Sequence, residues 1–600
     1  MSAQLLNQLY GPNADQVKEA ARSLMQFLQR ALQISRAHTV DFYTQDVWKK
    51  LVDLSPDAVL SFVSQSHGKS YCEERGVPDM STIFCPTTHK LISIASFVEA
   101  AQYYSLMNLG LCTPIEKILD ALKSQNLVHI DHKMKTGEFM NGKKSHEVVI
   151  MSQLVECIAN ACEVKQVIDL GAGKGYLSSY LSMRYDLKVY GIDSSHTNTD
   201  GANKRNQKLK KYWRAYKNHA KPTSKAQESD QKKRLLPNYM CLEENTDIDI
   251  LRSKSKVLSF DQLSISGSTV SEKPNDVTES IRWEQHVESY NPSHDTDKDG
   301  YSENALTFLD FLPTGAVEES PVLDSVCKDL SQQEKEQRKI ENMKAKKLTN
   351  KHVYSPVTSF VTAETELHDI ITDLEESIMV GLHTCGDLAP NTLRIYTSKP
   401  EIRAVCSVGC CYHLLSEEFE IPKEEKTVGA WGFPMSQYLR KNCWSIGRNA
   451  RMSACLAMER VAVGQGVPSE SLFYRAVLQV ICKDCYGIVE SDKRVGKIFT
   501  KSSSFTDYVR WSLRKLGQDD SKLSDTQIVE YYEKYKSRNN ELEAFNMLKV
   551  MLAPCIEALI LLDRLCYLHE QENIAWTGLV KLFDPVKSPR CYAVVSLKRL

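Results

Sequence analysis

The 600-residue sequence predicts an α/β fold: a parallel sheet finished by a C-terminal β-hairpin, with an N-terminal helical domain, a helical insertion and a long disordered insert. Three observations predict it. A glycine-rich turn, Asp169-Leu-Gly171-Ala-Gly173-Lys174-Gly175, joins a hydrophobic strand (KQVIDL) to a helix (YLSSYLSMRY). A second strand, LKVYGID, closes on Asp193 and completes a βαβ unit, which implies a parallel sheet with right-handed crossover. Further on, SIMVGLHTC and IRAVCSVGC are almost continuously apolar, as strands covered on both faces should be.

The elements follow in chain order. Residues 1–130 read as a helical N-terminal domain. Within it, Asp15 to Leu32 sets Val17, Ala20, Leu24, Phe27, Leu28 and Leu32 on one face at three- and four-residue spacing, and a second apolar helix covers Leu91 to Leu109. A packing role and a substrate-recruiting role both stay open. Residues 131–223 form the first, cofactor-binding part of the α/β domain, entered by a helix with Ser145 as N-cap. Residues 224–350 are rich in Ser, Asp, Glu, Lys, Asn and Thr; they cannot bury enough apolar surface to offset ordering, so a disordered low-complexity insert is expected. The sheet resumes over 351–434, with VYSPVTSFV as a further strand. A helical insertion spans 435–570, and 571–600 form the hairpin, turning at Asp584-Pro585 and Ser588-Pro589 with the last strand antiparallel.

Bulk properties exclude some classes. A formal net charge of −1 is not that of a polycation built to coat nucleic acid, so any such contact must come from a local patch. The N-terminus lacks a basic segment followed by an apolar one, and the best apolar run, Met551 to Leu562, is broken by Pro554 and Glu557. No membrane span and no secretory signal are therefore expected. The 18 cysteines then read as free thiols of the cytoplasm or nucleus.

The chemistry starts at the glycine turn. A dinucleotide fold uses G-x-G-x-x-G with a helix N-terminus aimed at a pyrophosphate. Here the spacing is G-x-G-x-G behind an acid, which suits S-adenosylmethionine, a ligand with an ammonium and a sulfonium and no phosphate. Asp169, Gly171, Gly173, Lys174 and Gly175 are the expected cofactor residues, with Asp169 toward the methionine amino end and Asp193 accepting from ribose hydroxyls. A strand-end aspartate can also simply cap the next helix.

His383-Thr-Cys385-Gly-Asp387 and Cys410-Cys411-Tyr-His413 end two later strands and should share the crevice at their carboxyl ends. His383, Cys385, Asp387 and His413 are the catalytic candidates, with either histidine as general base. A zinc set of His383, Cys385, Cys410, Cys411 and His413 lacks the usual C-x2-4-C knuckle, so no metal is expected; a structural role for both loops stays open. Cys482 and Cys485 read as thiols in an apolar helix. Upstream, Lys143, Lys144, His146 and Glu147 open a helix, and lysines in a first turn oppose the helix dipole, which suits substrate binding or closure over the cofactor; a solvated charge run stays open. From Ala202 to Lys221, basic residues interleaved with Tyr212, Trp213 and Tyr216 suit RNA, or a solvated helix face. Asp295 to Gly300 imitates half an EF-hand loop, but Leu306 stands where the bidentate Glu belongs.

The combination K-K-x-H-E, DLGAGKGYLS, GLHTCGDLAPNTLR, VGCCYH, GFPMS (Gly432 to Ser436) and RNARMSA (Arg448 to Ala454) resembles the methyltransferase-like protein 25 family. The shorter set K-x-H-E, D-x-G-x-G-K-G and L-H-x-C-G is similar to a tRNA ribose methyltransferase family. The resemblance implies a class I Rossmann-like methyltransferase using S-adenosylmethionine, and it tilts the acceptor toward RNA ahead of protein. The [DN]-P-P-[YF] motif of amino-directed methylation is absent, which leaves O-, S- or unusual N-acceptors. The alternative is a catalytically inactive module that uses this fold to bind RNA or protein. Oligomeric state is not legible.

Overall fold

The structure is a computed structural model, which describes residues 9, 11–66, 76–122, 140–218, 354–420, 429–463, 469–489, 495–496 and 498–599. The expected insert at 224–350 and the EF-hand-like loop lie outside the described residues. So do the side chains of Tyr212, Trp213 and Tyr216.

Among the described residues, eight strands form one sheet: β1 (Cys112–Pro114), β2 (Gln166–Leu170), β3 (Lys188–Asp193), β4 (Tyr354–Thr358), β5 (Ser377–Cys385), β6 (Ile402–Cys410), β7 (Ile574–Lys581) and β8 (Tyr592–Lys598). Their order is β1-β7-β8-β6-β5-β2-β3-β4. All neighbours are parallel except β8, which runs antiparallel between β6 and β7. This is the expected Rossmann-like methyltransferase sheet, with its closing hairpin. The strand order reverses between β2 and β5, so the crevice for ligands opens at the carboxyl ends of these two strands.

Helices of eight residues or more, in chain order, are α1 (Ala14–Arg36), α2 (Pro56–Ser66), α3 (Ile94–Tyr103), α4 (Ile115–Leu122), α5 (Gly142–Ala161), α6 (Tyr176–Tyr185), α7 (His196–Asn218), α8 (Leu388–Ser398), α9 (Ser469–Tyr486), α10 (Phe505–Leu516), α11 (Asp525–Lys536) and α12 (Asn539–His569). The first starts at Asn13, whose side chain accepts from Gln16 in a reciprocal capping box; it buries Val17, Leu24, Phe27, Leu28 and Leu32 as the spacing predicts, with Ala21 buried in place of the partly buried Ala20. Its burial partner is α12, 31 residues and about 46 Å long. Long and apolar enough to cross a membrane, α12 is instead mostly buried inside the protein. Residues from both ends of the chain thus share one hydrophobic cluster with β5 and β6.

Two details differ from the sequence reading. Residues 112–114, expected to be helical, extend the sheet as β1 beside β7. And α5 begins before Ser145: Asn141 is its N-cap, its side chain accepting from the Lys144 N–H at 2.9 Å. An Asn in extended backbone satisfies that orphan donor and moves Lys143, Lys144 and Ser145 into the helix.

Candidate active site

The glycine loop bends between β2 and α6. Gly171, Gly173 and Gly175 have φ of 70°, 56° and 67°, where a side chain is strained. The reasons for the outer two are steric as well. A Cβ on Gly171 would sit 3.1 Å from the His383 carbonyl oxygen, and one on Gly175 would run into the Tyr354 ring. On Gly173 it would meet nothing within 4 Å, so the mouth of the loop is open there. That opening, with two carboxylates behind it, fits a small cationic ligand. Lys174 is exposed beside it.

Asp169 is buried and accepts from the Ser178 hydroxyl at 2.6 Å. Burial pushes its carboxyl up to about 7, the Ser178 bond acting against the rise and Asp193 adding to it. Asp193 caps the next helix and also ties down the glycine loop. One oxygen accepts from Gly173 N–H at 2.9 Å and fixes the loop; the other accepts from Ser195 N–H and the Asn198 side chain at the start of α7.

Three candidate residues from distant sequence converge beside this loop. Lys144 Nζ lies 2.7 Å from His383 Nε2 and 3.2 Å from Glu147 Oε2, and His383 Nε2 lies 3.3 Å from the same oxygen. Helical spacing brings Lys144 and Glu147 to one face of α5. A bulge delivers His383. Between Gly381 and Thr384, β5 spends one residue more than β6, and a Cβ on Gly381 would collide with Thr384. Glu147 is fully buried; burial would raise its carboxyl, but the His383 hydrogen bond and charge, with Lys144 and Lys143, hold it down at about 2. Ser588, in the turn of the C-terminal hairpin, donates to the other Glu147 oxygen at 2.8 Å. Sequence reading saw only a turn at Ser588.

A single Nε2 cannot both accept from a Lys144 ammonium and donate to Glu147. The cluster therefore has two hydrogen-bonding states that differ in where a proton sits. That is a property of a general acid–base site. Lys144 and His383 are both partly exposed, with side-chain accessibilities of 29% and 33%.

The remaining candidates sit elsewhere. His146, elsewhere on α5, accepts from Asp584 N–H at 3.2 Å and packs at a tilt against Phe583; burial lowers its pKa. Asp387 accepts from Ser416 N–H at 2.9 Å and abuts Gly432, bracing the loop after β6. His413 is buried, its Nδ1 3.8 Å from the Cys455 sulfur, and burial lowers its pKa. None of these three joins the Lys144–Glu147–His383 set. Cys385 and Cys410 end adjacent strands with sulfurs 3.1 Å apart, and the neighbouring thiols hold the Cys385 pKa well down. Cys482 and Cys485 lie on α9, the first buried and the second partly so.

The other sequence blocks turn out to be braces for the loop after β6. Arg451 donates to the Tyr412 carbonyl and pairs with buried Glu417, which also accepts from Ile446 and Gly447 N–H. Asp563 of α12 accepts from Met435 and Ser436 N–H and from the Ser436 hydroxyl. Tyr412 donates to Glu557, itself paired with Arg590 at 2.8 Å.

Comparison with known proteins identifies the family. A family described as "Methyltransferase domain" matches residues 143–418, a span that runs from Lys143 into the loop after β6. Human and mouse proteins each named "Probable methyltransferase-like protein 25" are each 52% identical to this chain, across 98% of it and 98% of their own length. No solved structure matches. With that likeness running the full length of both relatives, and with a sheet, glycine loop and closing hairpin of the methyltransferase kind, the chain belongs to the methyltransferase-like protein 25 family.

Proposed function

We propose that the protein transfers the methyl group of S-adenosylmethionine to a hydroxyl oxygen of RNA. The observation that carries this reading is the meeting of Lys144, Glu147 and His383 beside the glycine loop. When bound, the cofactor supplies an electrophilic methyl on a positively charged sulfur. The open face of Gly173 leaves room for it, Asp193 offers acceptor oxygens for ribose hydroxyls, and Asp169 offers a carboxyl that a nearby ammonium would ionise.

The acceptor points the same way. A hydroxyl is a poor nucleophile until a base removes its proton, and this site contains a base with an anion behind it. Once Lys144 turns away, the Nε2 lone pair of His383 is free to take the proton, and the Glu147 carboxylate, which Ser588 holds in place, stabilises the resulting imidazolium. A backbone phosphate is the partner that draws the Lys144 ammonium off His383 and so frees the base. Exposed Lys174 in the glycine loop and half-exposed Lys143 on α5 add positive charge, which favours a phosphodiester substrate over a peptide.

The test is transfer of tritiated methyl from S-adenosylmethionine into cellular RNA and protein fractions, preceded by thermal shift. S-adenosylmethionine should raise the melting temperature and NAD should not, because a ligand selective for the native state stabilises it. Label should appear in RNA and disappear with His383→Ala. Label in protein alone, or a shift with NAD alone, would overturn the reading.

A further inference from the structure

Cys385, Cys410 and Cys411 place three sulfurs within 4.8 Å of one another, and the proposed chemistry uses none of them. The fold makes this convergence in three steps. Parallel pairing sets Cys385 opposite Cys410 at the carboxyl ends of β5 and β6, with Gly386 N–H bonded to the Cys410 carbonyl at 3.1 Å. Successive strand residues point to opposite faces, so Cys410 and Cys411 would normally diverge. Cys411 instead has φ of +51°, a left-handed turn that costs energy in a non-glycine residue and swings its side chain back toward the other two. Gly386, at φ +52°, completes the approach: a Cβ there would press into Leu414, on the short turn that follows Cys411.

The surroundings hold the trio in place. Tyr412, between Cys411 and His413, is fully buried and fixed at both ends, its hydroxyl on Glu557 and its carbonyl on Arg451. All three thiols are free. A disulfide would use two of them and give the strained third no purpose. Thiolates around a tetrahedral zinc ion, at about 2.3 Å from the metal, lie about 3.8 Å apart. That separation falls within the 3.1 Å of the Cys385–Cys410 pair and the 4.8 Å limit of the trio. Cys410 is buried, Cys411 partly buried and Cys385 exposed, so one side of the trio is accessible.

We propose that Cys385, Cys410 and Cys411 form a three-thiolate site for a zinc-class divalent ion, with its fourth position open on the side of Cys385. The absence of a sequence knuckle does not weigh against it. These ligands come from two strand ends 25 residues apart, brought together by sheet register. Zinc binding displaces the remaining thiol protons to solvent and leaves all three sulfurs as thiolates. The site is independent of the methyl-transfer reading, and an enzyme inactive on RNA would still bind the ion.

The test uses the full-length chain, purified under reducing conditions and reconstituted with zinc or cobalt(II). Elemental analysis should find one ion per chain. The cobalt form should show thiolate-to-cobalt charge-transfer absorption of three-thiolate intensity. Zinc should protect Cys385, Cys410 and Cys411 from iodoacetamide, mapped by peptide mass spectrometry, with labelling at Cys443 unchanged. This mapping needs no variant, so misfolding of a substituted protein cannot obscure it. Cys385→Ser with Cys411→Ser should abolish stoichiometric zinc, and Cys482→Ser with Cys485→Ser should retain it. No stoichiometric ion in the wild type, or equal alkylation of the trio with and without zinc, would overturn the proposal.

Discussion

Lys144 Nζ and His383 Nε2 are 2.7 Å apart, although 239 positions separate the two residues in the chain. The contact joins the first turn of α5 to a bulge in β5, and Glu147 holds both partners from beneath. Lysines that seem misplaced against the helix dipole are balanced by this buried carboxylate one turn on.

Removal of the cluster should stop chemistry and spare cofactor binding. His383→Ala and Lys144→Ala should each lower methyl transfer by about 100- to 10,000-fold, the range for a positioned acid or base. Affinity for S-adenosylmethionine, measured by calorimetry, should change little, because neither side chain belongs to the glycine loop. A parallel loss of affinity would make these residues cofactor ligands instead.

Acid should weaken the fold through Glu147. Its folded pKa of about 2 lies below its ordinary value of 4.5, so its stabilisation is full above about pH 4.5 and is lost as pH falls through about 2. The full term is on the order of 3 kcal/mol. Urea unfolding of Glu147→Gln should therefore show a shallower decline over that window than wild type. Equal declines would mean that the carboxylate is not held in an ion pair.

Asp169 has the opposite sign. Its folded pKa of about 7 exceeds its ordinary 3.8, so its ionisation costs folded-state stability progressively as pH rises across that interval. A cationic ligand favours the ionised form, so binding of S-adenosylmethionine should tighten as pH rises through about 7 and release a proton. Calorimetry in buffers of different ionisation enthalpy measures that proton. With Asp169→Asn, the pH dependence and the proton release should both shrink; unchanged release would separate Asp169 from the ligand.

The glycines should divide by environment. Gly175→Ala meets the Tyr354 ring at positive φ and should destabilise the fold by more than the roughly 1–3 kcal/mol of backbone strain alone. Gly173→Ala faces open space, so its fold cost should stay within that strain while cofactor affinity falls. Melting temperatures and binding isotherms of the two variants check the contrast. An equal thermal loss in both would contradict it.

What the sequence revealed follows from how local each signal is. The glycine loop, Asp193 and the closing hairpin were readable because strand, turn and helix chemistry is written in adjacent residues. Lys144, Glu147 and His383 could be named as candidates, but their meeting depends on the extra residue between Gly381 and Thr384, which an apolar run does not disclose. Ser588 was hidden for the same reason: its partner is 441 positions away. His413 looked as catalytic as His383, and His146 looked substrate-facing, because a histidine near a strand or helix end carries no mark of its burial. The thiol trio escaped the spacing rule because a left-handed Cys411 and sheet register, not a knuckle, bring its members together.

The central claim, that this cluster deprotonates an RNA hydroxyl for methylation, is tested most directly at the level of the nucleoside. RNA treated with enzyme and labelled S-adenosylmethionine is digested completely, and the methylated nucleosides are identified by mass spectrometry. The account predicts ribose-methylated nucleosides with wild type and a loss of at least about 100-fold with His383→Ala. Label confined to a base nitrogen, or ribose methylation undiminished in the variant, would contradict it.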